Sequence, residues 1–507
     1  MARPEAPVAP GAAAARTPPA SAAPHLRDPS PPGRGRPARP PGDARPREPD
    51  HHADLHAPRR DGPQADAQEA SPKRVKAKFN AIKHVFCPII RQDIHLFVNQ
   101  LDVIRYACYT INVERLLELN GLAKKEAEKY SKKRSIYQRL VAGEGRAFSG
   151  LIGPRGVGKT VLLRQIARDR GDSFYISADT LGEADLFETA KVLAQRYGVR
   201  WLLLDEVHTA KGYAAALKKL YDFLDLHVVF TSSVALSLTA AAHDLSRRAL
   251  LHRLWPFTFR EFLSFAHGRE LPVLSLADIL ERRWEPEHLR QGHLFDDYLK
   301  GGLFPFSLEQ PDVKPILGGI LEKVIRQDIP SVAGLRMDEL GVIEKLLRFI
   351  GRSASDGISY SSVARNLGIT KYKAEQYIGL LEKAFVLNPV LPIGTNVLRE
   401  PKVLMSPPLR LLYRDLDDAI GGLREDFAAQ AFKSAGLEFH YLKDPQGGKT
   451  PDFLVRAEGG DVVVEVGGKG KGRRQFKGYS AQKRLLLTPS DSLDGDRRPL
   501  PLLGFLG

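Results

Sequence analysis

Residues 153–160 combine glycine, lysine and threonine at a spacing suited to holding phosphate. They fit the pattern G-x-x-x-x-G-K-[ST], and in order they are Gly153, Pro154, Arg155, Gly156, Val157, Gly158, Lys159 and Thr160. Glycines let the backbone turn sharply and bring successive N–H groups close to an anion. In such a loop the lysine can reach the terminal phosphates of a nucleotide, and the threonine hydroxyl can ligate Mg²⁺. The spacing therefore predicts a nucleotide site in which Lys159 is catalytic and Thr160 is a metal ligand.

The segments on both sides of this loop favour the same interpretation. Phe148–Ile152 is an apolar run that predicts a buried strand, and apolar residues recur at helical spacing after Thr160. A helix that begins there would direct the positive end of its dipole at the phosphates. A glycine-rich turn can match the spacing by chance, but strand, loop and helix in this order favour a phosphate site.

A second apolar strand ends in two acids, Asp205 and Glu206. Beside a phosphate loop, the first carboxylate can hold Mg²⁺ and the second can polarise the attacking water. We therefore predict Asp205 as a metal ligand and Glu206 as the general base, although such a pair also occurs as a helix cap or a turn. Thr231 follows a further predicted strand, and its hydroxyl could either act as a sensor at the nucleotide or cap the strand end. The guanine-reading pattern Asn-Lys-x-Asp is absent from the sequence, so ATP is the expected nucleotide.

Composition limits the class of protein. The chain has 507 residues and a net charge of +15, which is compatible with a phosphate-rich partner such as nucleic acid. Its two cysteines, Cys87 and Cys108, do not form a C-x-x-C pair, which argues against a disulfide framework and a cysteine-rich zinc site. The sequence has no apolar run of membrane-spanning length and no secretion signal, so we expect a cytoplasmic protein without a membrane partner.

Several motifs together resemble the prokaryotic AAA-type ATPases that carry a C-terminal domain of unknown function. The matching stretches are residues 153–160, 202–206, 231–233, Arg248 with the run 255–262, and 298–305. The family usually has a Gly-Arg pair shortly before the 255–262 run, whereas this chain has Arg247 and Arg248 there. The resemblance implies an AAA-like five-stranded parallel sheet, and it suggests that Arg248 senses or stabilises the γ-phosphate. A surface arginine in a salt bridge is the alternative, and a role across a subunit interface would need a homo-oligomer.

This resemblance and the shifts in composition predict an α/β chain of five segments. Residues 1–70 are rich in Pro, Ala and Arg and lack Ile, Phe, Tyr and Trp, so we expect a disordered tail. The other segments are a helical extension at 71–140, an AAA-type P-loop ATPase domain at 141–300, a helical linker with a winged helix at 301–395, and a C-terminal restriction-endonuclease-like domain at 396–507.

Residues 342–381 have the pattern of three helices with a tight turn at Gly368. Ser361 and Thr370 can each cap a helix. The residues that would begin a DNA-recognition helix are Lys371, Tyr372, Lys373 and Gln376. With an extended wing at 386–393, this pattern predicts a winged helix that binds DNA through residues 360–393. Such modules also serve as packing domains, so the alternative stays open.

The C-terminal segment has the pattern helix, three strands, helix and strand, which resembles a restriction-endonuclease-like core. That resemblance implies two carboxylates on adjacent strands that share Mg²⁺, with a lysine two residues after the second acid. Asp452 and Glu465 fit these carboxylates as a possible second Mg²⁺ site, and Glu425 on the helix could be a third. Gly467 stands where the lysine is expected, so an active nuclease and a fold kept for binding are both open. The displaced lysines nearby are Lys469 and Lys471.

Together these patterns predict an ATP-binding enzyme that hydrolyses ATP with Mg²⁺ and is coupled to a C-terminal region that binds DNA. One alternative is a regulatory switch that binds ATP and seldom hydrolyses it. Another is a Mg²⁺-dependent nuclease that is regulated by ATP.

Overall fold

The computed structural model of the chain describes most residues after position 112. The described residues are 113–142, 145–233, 245, 247–354, 357–394, 400–443, 450–467, 476, 483–489 and 493–507. The predicted tail at 1–70, both cysteines and the displaced lysines of the C-terminal segment lie outside them. Of the predicted extension at 71–140, the described part is helical at 113–126 and begins a further helix, α1 (Tyr137–Ala142). No helix within the described residues is long and apolar enough to cross a membrane.

Five parallel strands form the sheet that carries the phosphate loop. They are β1 (Phe148–Ile152), β2 (Ser173–Ser177), β3 (Trp201–Asp205), β4 (His227–Ser232) and β5 (Ala249–Arg253). Their spatial order is β2-β3-β4-β1-β5, and every neighbouring pair is parallel. The prediction of a five-stranded parallel sheet is therefore confirmed. Because all five strands run the same way, their carboxyl ends meet at one edge, where α/β proteins commonly bind ligands.

Helices cover both faces of this sheet, because its central strands are apolar on both sides. The helices are α2 (Lys159–Asp169), α3 (Leu186–Tyr197), α4 (Tyr213–Phe223) and α5 (Phe259–His267). Leu162 of α2 belongs to the buried core that includes Leu203, whereas Leu193 of α3 belongs to the core that includes Leu202 and Leu204. Adjacent residues of a strand point to opposite faces, so β3 is held between two helical layers.

A helical region follows the sheet and packs against the same core as α2. Its helices are α6 (Leu276–Glu281), α7 (Pro286–Arg290), α8 (Val313–Lys323), α9 (Ile329–Ala333) and α10 (Met337–Arg352). A π-helical turn at Val324–Asp328 joins α8 to α9. Leu317, Leu321 and Ile325 are buried in the core that contains Leu162, so this region shares a core with the phosphate-loop helix.

Two more helices and a small antiparallel sheet continue the chain from α10. They are α11 (Tyr360–Leu367), α12 (Lys371–Lys383), β6 (Leu387–Val390) and β7 (Lys402–Met405). Thr370 caps α12, and Gly368 ends α11 with a left-handed φ of 65°, as predicted. The predicted cap at Ser361 is wrong, because α11 begins two residues earlier than that cap implies and Ser359 caps it. The helices and the extended segment of β6 follow in the expected order, whereas β7 was not predicted. The winged-helix assignment itself stays a prediction.

A second five-stranded sheet lies near the C-terminus. Its strands are β8 (Phe439–Tyr441), β9 (Phe453–Val455), β10 (Val462–Val466), β11 (Lys483–Thr488) and β12 (Arg497–Pro499). Strands β8, β9 and β10 are antiparallel neighbours, whereas β11 and β12 continue the sheet in parallel. Helix α13 (Leu416–Ser434) packs on it through Phe432, whose ring meets Phe453 edge to face. Strand β12 was not predicted, because three residues ending in proline give no strand pattern. The restriction-endonuclease-like assignment stays a prediction.

One buried ion pair joins α10, β7 and α13. Arg410, which is 1% exposed, donates to Asp426 through Nε at 2.5 Å and Nη2 at 3.0 Å. Its Nη1 donates to the carbonyl oxygens of Ile350 and Ser353. Asp426 also accepts from the backbone N–H of Met405 at 2.9 Å. Three separate segments therefore depend on one guanidinium–carboxylate contact.

We expect Asp426→Ala to destabilise the protein strongly. The substitution leaves the Arg410 guanidinium buried without its carboxylate, a change that typically costs about 3–5 kcal/mol. The free energy of unfolding in urea measures this loss. Asp297→Ala is the control, because the Asp297 side chain is 67% exposed and its pairing with Lys300 contributes little to stability. Equal losses in the two variants would contradict the importance of the Arg410–Asp426 pair.

Candidate active site

The phosphate loop connects β1 to α2 and needs its glycines. Gly156 and Gly158 have φ values of 83° and 90°, which residues with a side chain rarely adopt. A Cβ atom at Gly153 would lie 2.1 Å from the carbonyl oxygen of Leu254, so no side chain fits there. The loop delivers the chain into α2 at Lys159, and the amino end of α2 faces the loop.

Lys159 is buried inside this loop. Its Nζ donates to the carbonyl oxygens of Gly153 and Pro154, both at 2.8 Å. Burial lowers the pKa of Lys159 to about 8, although the carboxylates of Glu206 and Asp205 act in the opposite direction. The Lys159 ammonium is therefore a desolvated positive charge that lies inside the loop where a phosphate would bind.

The acid at the end of β3 is fixed by two hydroxyl groups. Asp205 is 2% exposed, and it accepts from the Tyr175 hydroxyl at 2.8 Å and from the Thr231 hydroxyl at 2.5 Å. The Thr231 oxygen in turn accepts from the backbone N–H of Glu206 at 3.0 Å. Thr231 thus joins the ends of β3 and β4 through both predicted acids. The contact with Tyr175 was missed from the sequence, because a tyrosine in an apolar strand gives no polar signal.

Glu206 adopts a backbone conformation that is rare for its type. Its φ is 48°, in the left-handed region, and such residues cluster at functional sites. The Glu206 carboxylate accepts from the Ser233 hydroxyl at 3.0 Å, and His208 Nδ1 lies 3.3 Å from it. Arg155 Nη1 lies 3.9 Å away. Sequence reasoning missed the contacts of Ser233 and His208 with this side chain, although both follow strands whose ends were singled out.

A cavity of about 400 Å³ contains the loop and Glu206 together. The same cavity is also lined by Tyr130, Phe265, Phe306 and Gln165. A cavity that combines a lysine with aromatic rings suits the phosphates and the base of a nucleotide. A larger cavity of about 840 Å³ lies beside β2 and contains none of the loop residues.

The donors that would hold Mg²⁺ at this site are oxygen atoms. Thr160 offers a hydroxyl at the start of α2, and Asp205 offers a buried carboxylate at the end of β3. Within the described residues no group of three or more His, Cys, Asp and Glu side chains converges as a metal site. Mg²⁺ usually takes one or two protein oxygens and completes its shell with phosphates and water.

Arg248 lies at the opposite end of the sheet from the phosphate loop. Its carbonyl oxygen accepts from Phe148 N at the beginning of β1, whereas the loop follows the end of that strand. Five strand residues separate the two ends by roughly 16 Å. The Arg248 guanidinium contacts Asp222 through Nε and Nη2, both at 3.2 Å. Within one chain Arg248 therefore does not meet the nucleotide cavity, and its role across a subunit interface stays a prediction.

The structure pairs the lysines of the predicted recognition helix with acids. Lys371 Nζ lies 2.5 Å from Glu400, and Lys373 Nζ lies 3.5 Å from Glu339. Tyr372 is 68% exposed, and its hydroxyl accepts from Gln376 at 3.0 Å. A DNA backbone would have to compete with these carboxylates for both lysines.

The predicted carboxylates of the C-terminal sheet meet a lysine that sequence reasoning missed. Lys402 Nζ lies 2.8 Å from Glu425 and 3.3 Å from Asp452, and all three side chains are less than 10% exposed. Asp452 also accepts from the backbone N–H of Val466 at 2.8 Å. Glu465 is 1% exposed on β10. The cation that the structure brings to Asp452 is thus the ammonium of Lys402, which comes from β7 rather than from the segment after β10.

Comparison with known proteins bears on two segments of the chain. Residues 146–263 match the model of a family described as an AAA domain, and residues 292–407 match a domain of unknown function, DUF8612. The uncharacterized protein MJ1637 of Methanocaldococcus jannaschii is 28% identical over 398 residues, which cover 70% of this chain and 84% of that protein. The AAA match contains the phosphate loop, the acids after β3 and the parallel sheet, and it supports an AAA-type P-loop ATPase family.

Two of the solved structures that are similar to parts of the chain are an ATPase and an Orc1 protein. The Walker-type ATPase PABY2304 of Pyrococcus abyssi is 15% identical with a TM-score of 0.35, over 55% of this chain and 94% of that one. The Orc1 protein of Aeropyrum pernix in complex with DNA is 14% identical with a TM-score of 0.24, over 60% of this chain and 91% of that one.

The pKa of Lys159 predicts how affinity for a phosphate ligand depends on pH. The charged ammonium binds phosphate, so affinity should be highest below the pKa of about 8 and fall as the pH rises through it. Between pH 7 and pH 9 the Kd for ATP should increase roughly tenfold. Calorimetric titration measures this change. Lys159→Met should bind weakly at both values with a much smaller dependence on pH, and an equally steep dependence in that variant would assign the effect elsewhere.

Proposed function

We propose that this chain is a Mg²⁺-dependent ATPase whose nucleotide site lies in the AAA-type domain. The main support for the proposal is that two parts of the site line one cavity. These are the phosphate loop with its buried Lys159, and Glu206, the candidate general base. Thr231 links Asp205 and Glu206 by hydrogen bonds beside that loop. The AAA domain match over residues 146–263 independently supports a nucleotide hydrolase.

Each residue of the site has a separate task in this proposal. The loop amides and Lys159 hold the terminal phosphates, and their fixed charges need little rearrangement during the reaction. Thr160 and Asp205 would hold Mg²⁺, which neutralises charge on the phosphates when it is bound. Glu206 orients the attacking water and takes up its proton. Ser233 and His208 keep the Glu206 carboxylate in place.

The segment that follows the sheet contacts the phosphate loop and could transmit the nucleotide state. Phe306 lies so close to Gly156 that a Cβ atom there would be 2.7 Å from its ring. Arg155 of the loop is bonded to Asp328 of the π-helical turn. We infer that ATP binding alters the region 301–395 and that DNA is the candidate partner, bound through residues 360–393. A switch with little turnover is the alternative.

Cleavage of DNA by the C-terminal sheet is the less favoured candidate. Lys402 lies next to Asp452 and Glu425, an arrangement that a nuclease could use in place of the missing lysine at Gly467. The same ammonium also neutralises these carboxylates, which suits a fold kept for binding. Asp452→Ala would abolish Mg²⁺-dependent cleavage if the sheet is an active nuclease, and wild-type protein without cleavage would exclude that function.

Two substitutions test the ATPase function. Lys159→Ala should abolish both nucleotide retention and hydrolysis, because it removes the charge at the terminal phosphates. Glu206→Gln should retain ATP affinity and lose turnover by roughly 10²–10⁴-fold, because it removes only the base. Phosphate release and ATP titration measure the two quantities separately. Hydrolysis at the wild-type rate in both variants would refute the site.

The same assay distinguishes an ATPase from a switch. Hydrolysis is measured with and without double-stranded DNA, and the size of the particle is measured with ATP and with ADP. Stimulation by DNA would support the coupled ATPase. Turnover that stays negligible with every DNA tested, together with tight ATP binding, would favour the switch.

A further inference from the structure

We propose that Arg155 is a catalytic residue that contacts the γ-phosphate and that Asp328 is the positioning residue that directs it there. This inference rests on the proposed ATPase function and names the arginine that serves it. Arg155 comes from the phosphate loop itself, whereas Arg248, the candidate from the sequence, lies just before β5. Its orientation comes from the helical region, 173 residues further along the chain.

The guanidinium of Arg155 is held along one edge. Nε and Nη2 donate to the two carboxylate oxygens of Asp328, both at 2.7 Å. This bidentate contact fixes the plane of the guanidinium, because two parallel hydrogen bonds allow little rotation. The remaining nitrogen, Nη1, lies 3.9 Å from the Glu206 carboxylate. That distance is too long for a hydrogen bond, but it keeps Nη1 beside the Glu206 carboxylate in the cavity that both residues line.

The position next to Glu206 identifies which phosphate Arg155 would meet. A general base must lie within reach of the attacking water, and that water must lie beside the γ-phosphate. Arg155, Lys159 and Glu206 all line the same cavity of about 400 Å³. Because the Arg155 guanidinium lies next to the candidate general base Glu206, we expect it to meet the γ-phosphate. Arginine suits this position because its planar guanidinium can donate to two phosphate oxygens at once and always stays charged.

The burial of the pair supports a fixed role. The side chains of Arg155 and Asp328 are 18% and 6% exposed. Burial alone would lower the pKa of Arg155, but the hydrogen bonds and charge of Asp328 and the charge of Glu206 raise it. A largely enclosed arginine with a carboxylate on one side can bind a second anion on the other.

Asp328 occupies a specialised piece of backbone. It ends the π-helical turn Val324–Asp328, and such turns are common at functional sites. The neighbouring helix presses on the loop, because a Cβ atom at Gly156 would be 3.2 Å from Ile320 Cδ1. The reaction site is therefore not complete within residues 146–263, and the region matched as DUF8612 supplies one of its parts.

The experiment compares Arg155→Ala, Arg155→Lys and Asp328→Asn in the full chain. For each variant we measure kcat, KM, the Kd for ADP and the Kd for a non-hydrolysable ATP analogue. Arg155→Ala should lower kcat by roughly 10²–10³-fold, as the loss of one preorganised donor does. It should weaken the analogue at least tenfold more than ADP, because only the analogue carries a γ-phosphate. Asp328→Asn should show the same pattern with a smaller loss, and Arg155→Lys should recover analogue affinity better than kcat.

Arg326→Ala is the matched control. Arg326 belongs to the same π-helical turn, but its side chain is 51% exposed and pairs with Glu322 and Glu344 at the surface. This variant should retain wild-type kcat and both affinities. Asp328→Glu keeps a carboxylate and should retain more activity than Asp328→Asn.

Three outcomes would separate the possible failures. Arg155→Ala and Asp328→Asn could lower the affinities for ADP and the analogue equally, lower the Tm and leave kcat unchanged. In that case the pair only stabilises the fold, and the inference is wrong. If Asp328→Asn fails to fold, the test rests on Arg155→Lys, because that variant keeps the charged pair with Asp328. A wild-type kcat in Arg155→Lys would also overturn the inference. If wild-type protein binds neither nucleotide, the ATPase function itself fails.

Discussion

Buried charge at the carboxyl edge of the parallel sheet is the constraint on which the site depends. Lys159, Asp205 and Arg155 are all largely enclosed there, and each must be satisfied before any ligand arrives. Lys159 uses loop carbonyls, Asp205 uses the hydroxyls of Tyr175 and Thr231, and Arg155 uses Asp328. The side chains are therefore in place before the reaction, and little rearrangement is needed when charge develops on a phosphate.

The phosphate loop is held from both sides by segments outside the sheet. On one side Arg155 reaches Asp328. On the other, Arg134 donates to the carbonyl oxygen of Val157 at 3.0 Å and forms a buried ion pair with Glu261 of α5. Burial would raise the pKa of Glu261, but the charge of Arg134 outweighs it and holds that pKa below its usual value. The loop thus couples the extension before the sheet to the helices after it.

The sequence predicted the parts of the site that are local and missed those that are distant. The loop, its flanking strand and helix, and the acids after β3 lie within short segments whose residue types carry a pattern. The structure brings Thr231 to Asp205, as the strand order of a parallel sheet allows. Asp328 could not be found this way, because a lone aspartate in a helical segment has no pattern that relates it to Arg155. Arg248 shows the opposite case, since its motif lies away from the phosphate loop within one chain and its role across a subunit interface stays a prediction.

The C-terminal sheet follows a different electrostatic logic from the phosphate loop. At the loop, Lys159 and Arg155 are cations that line an open cavity, so a phosphate can still reach them. In the C-terminal sheet, Lys402 lies directly on Glu425 and Asp452, so a metal ion would have to displace an ammonium that is already in contact. Removing one partner of such a buried ion pair destabilises a protein strongly, because the other charge is left buried and unpaired. The two arrangements therefore favour different roles. The cations at the first sheet favour phosphate binding, whereas Lys402 at the second sheet favours a structural role that joins β7 to α13 and the start of β9.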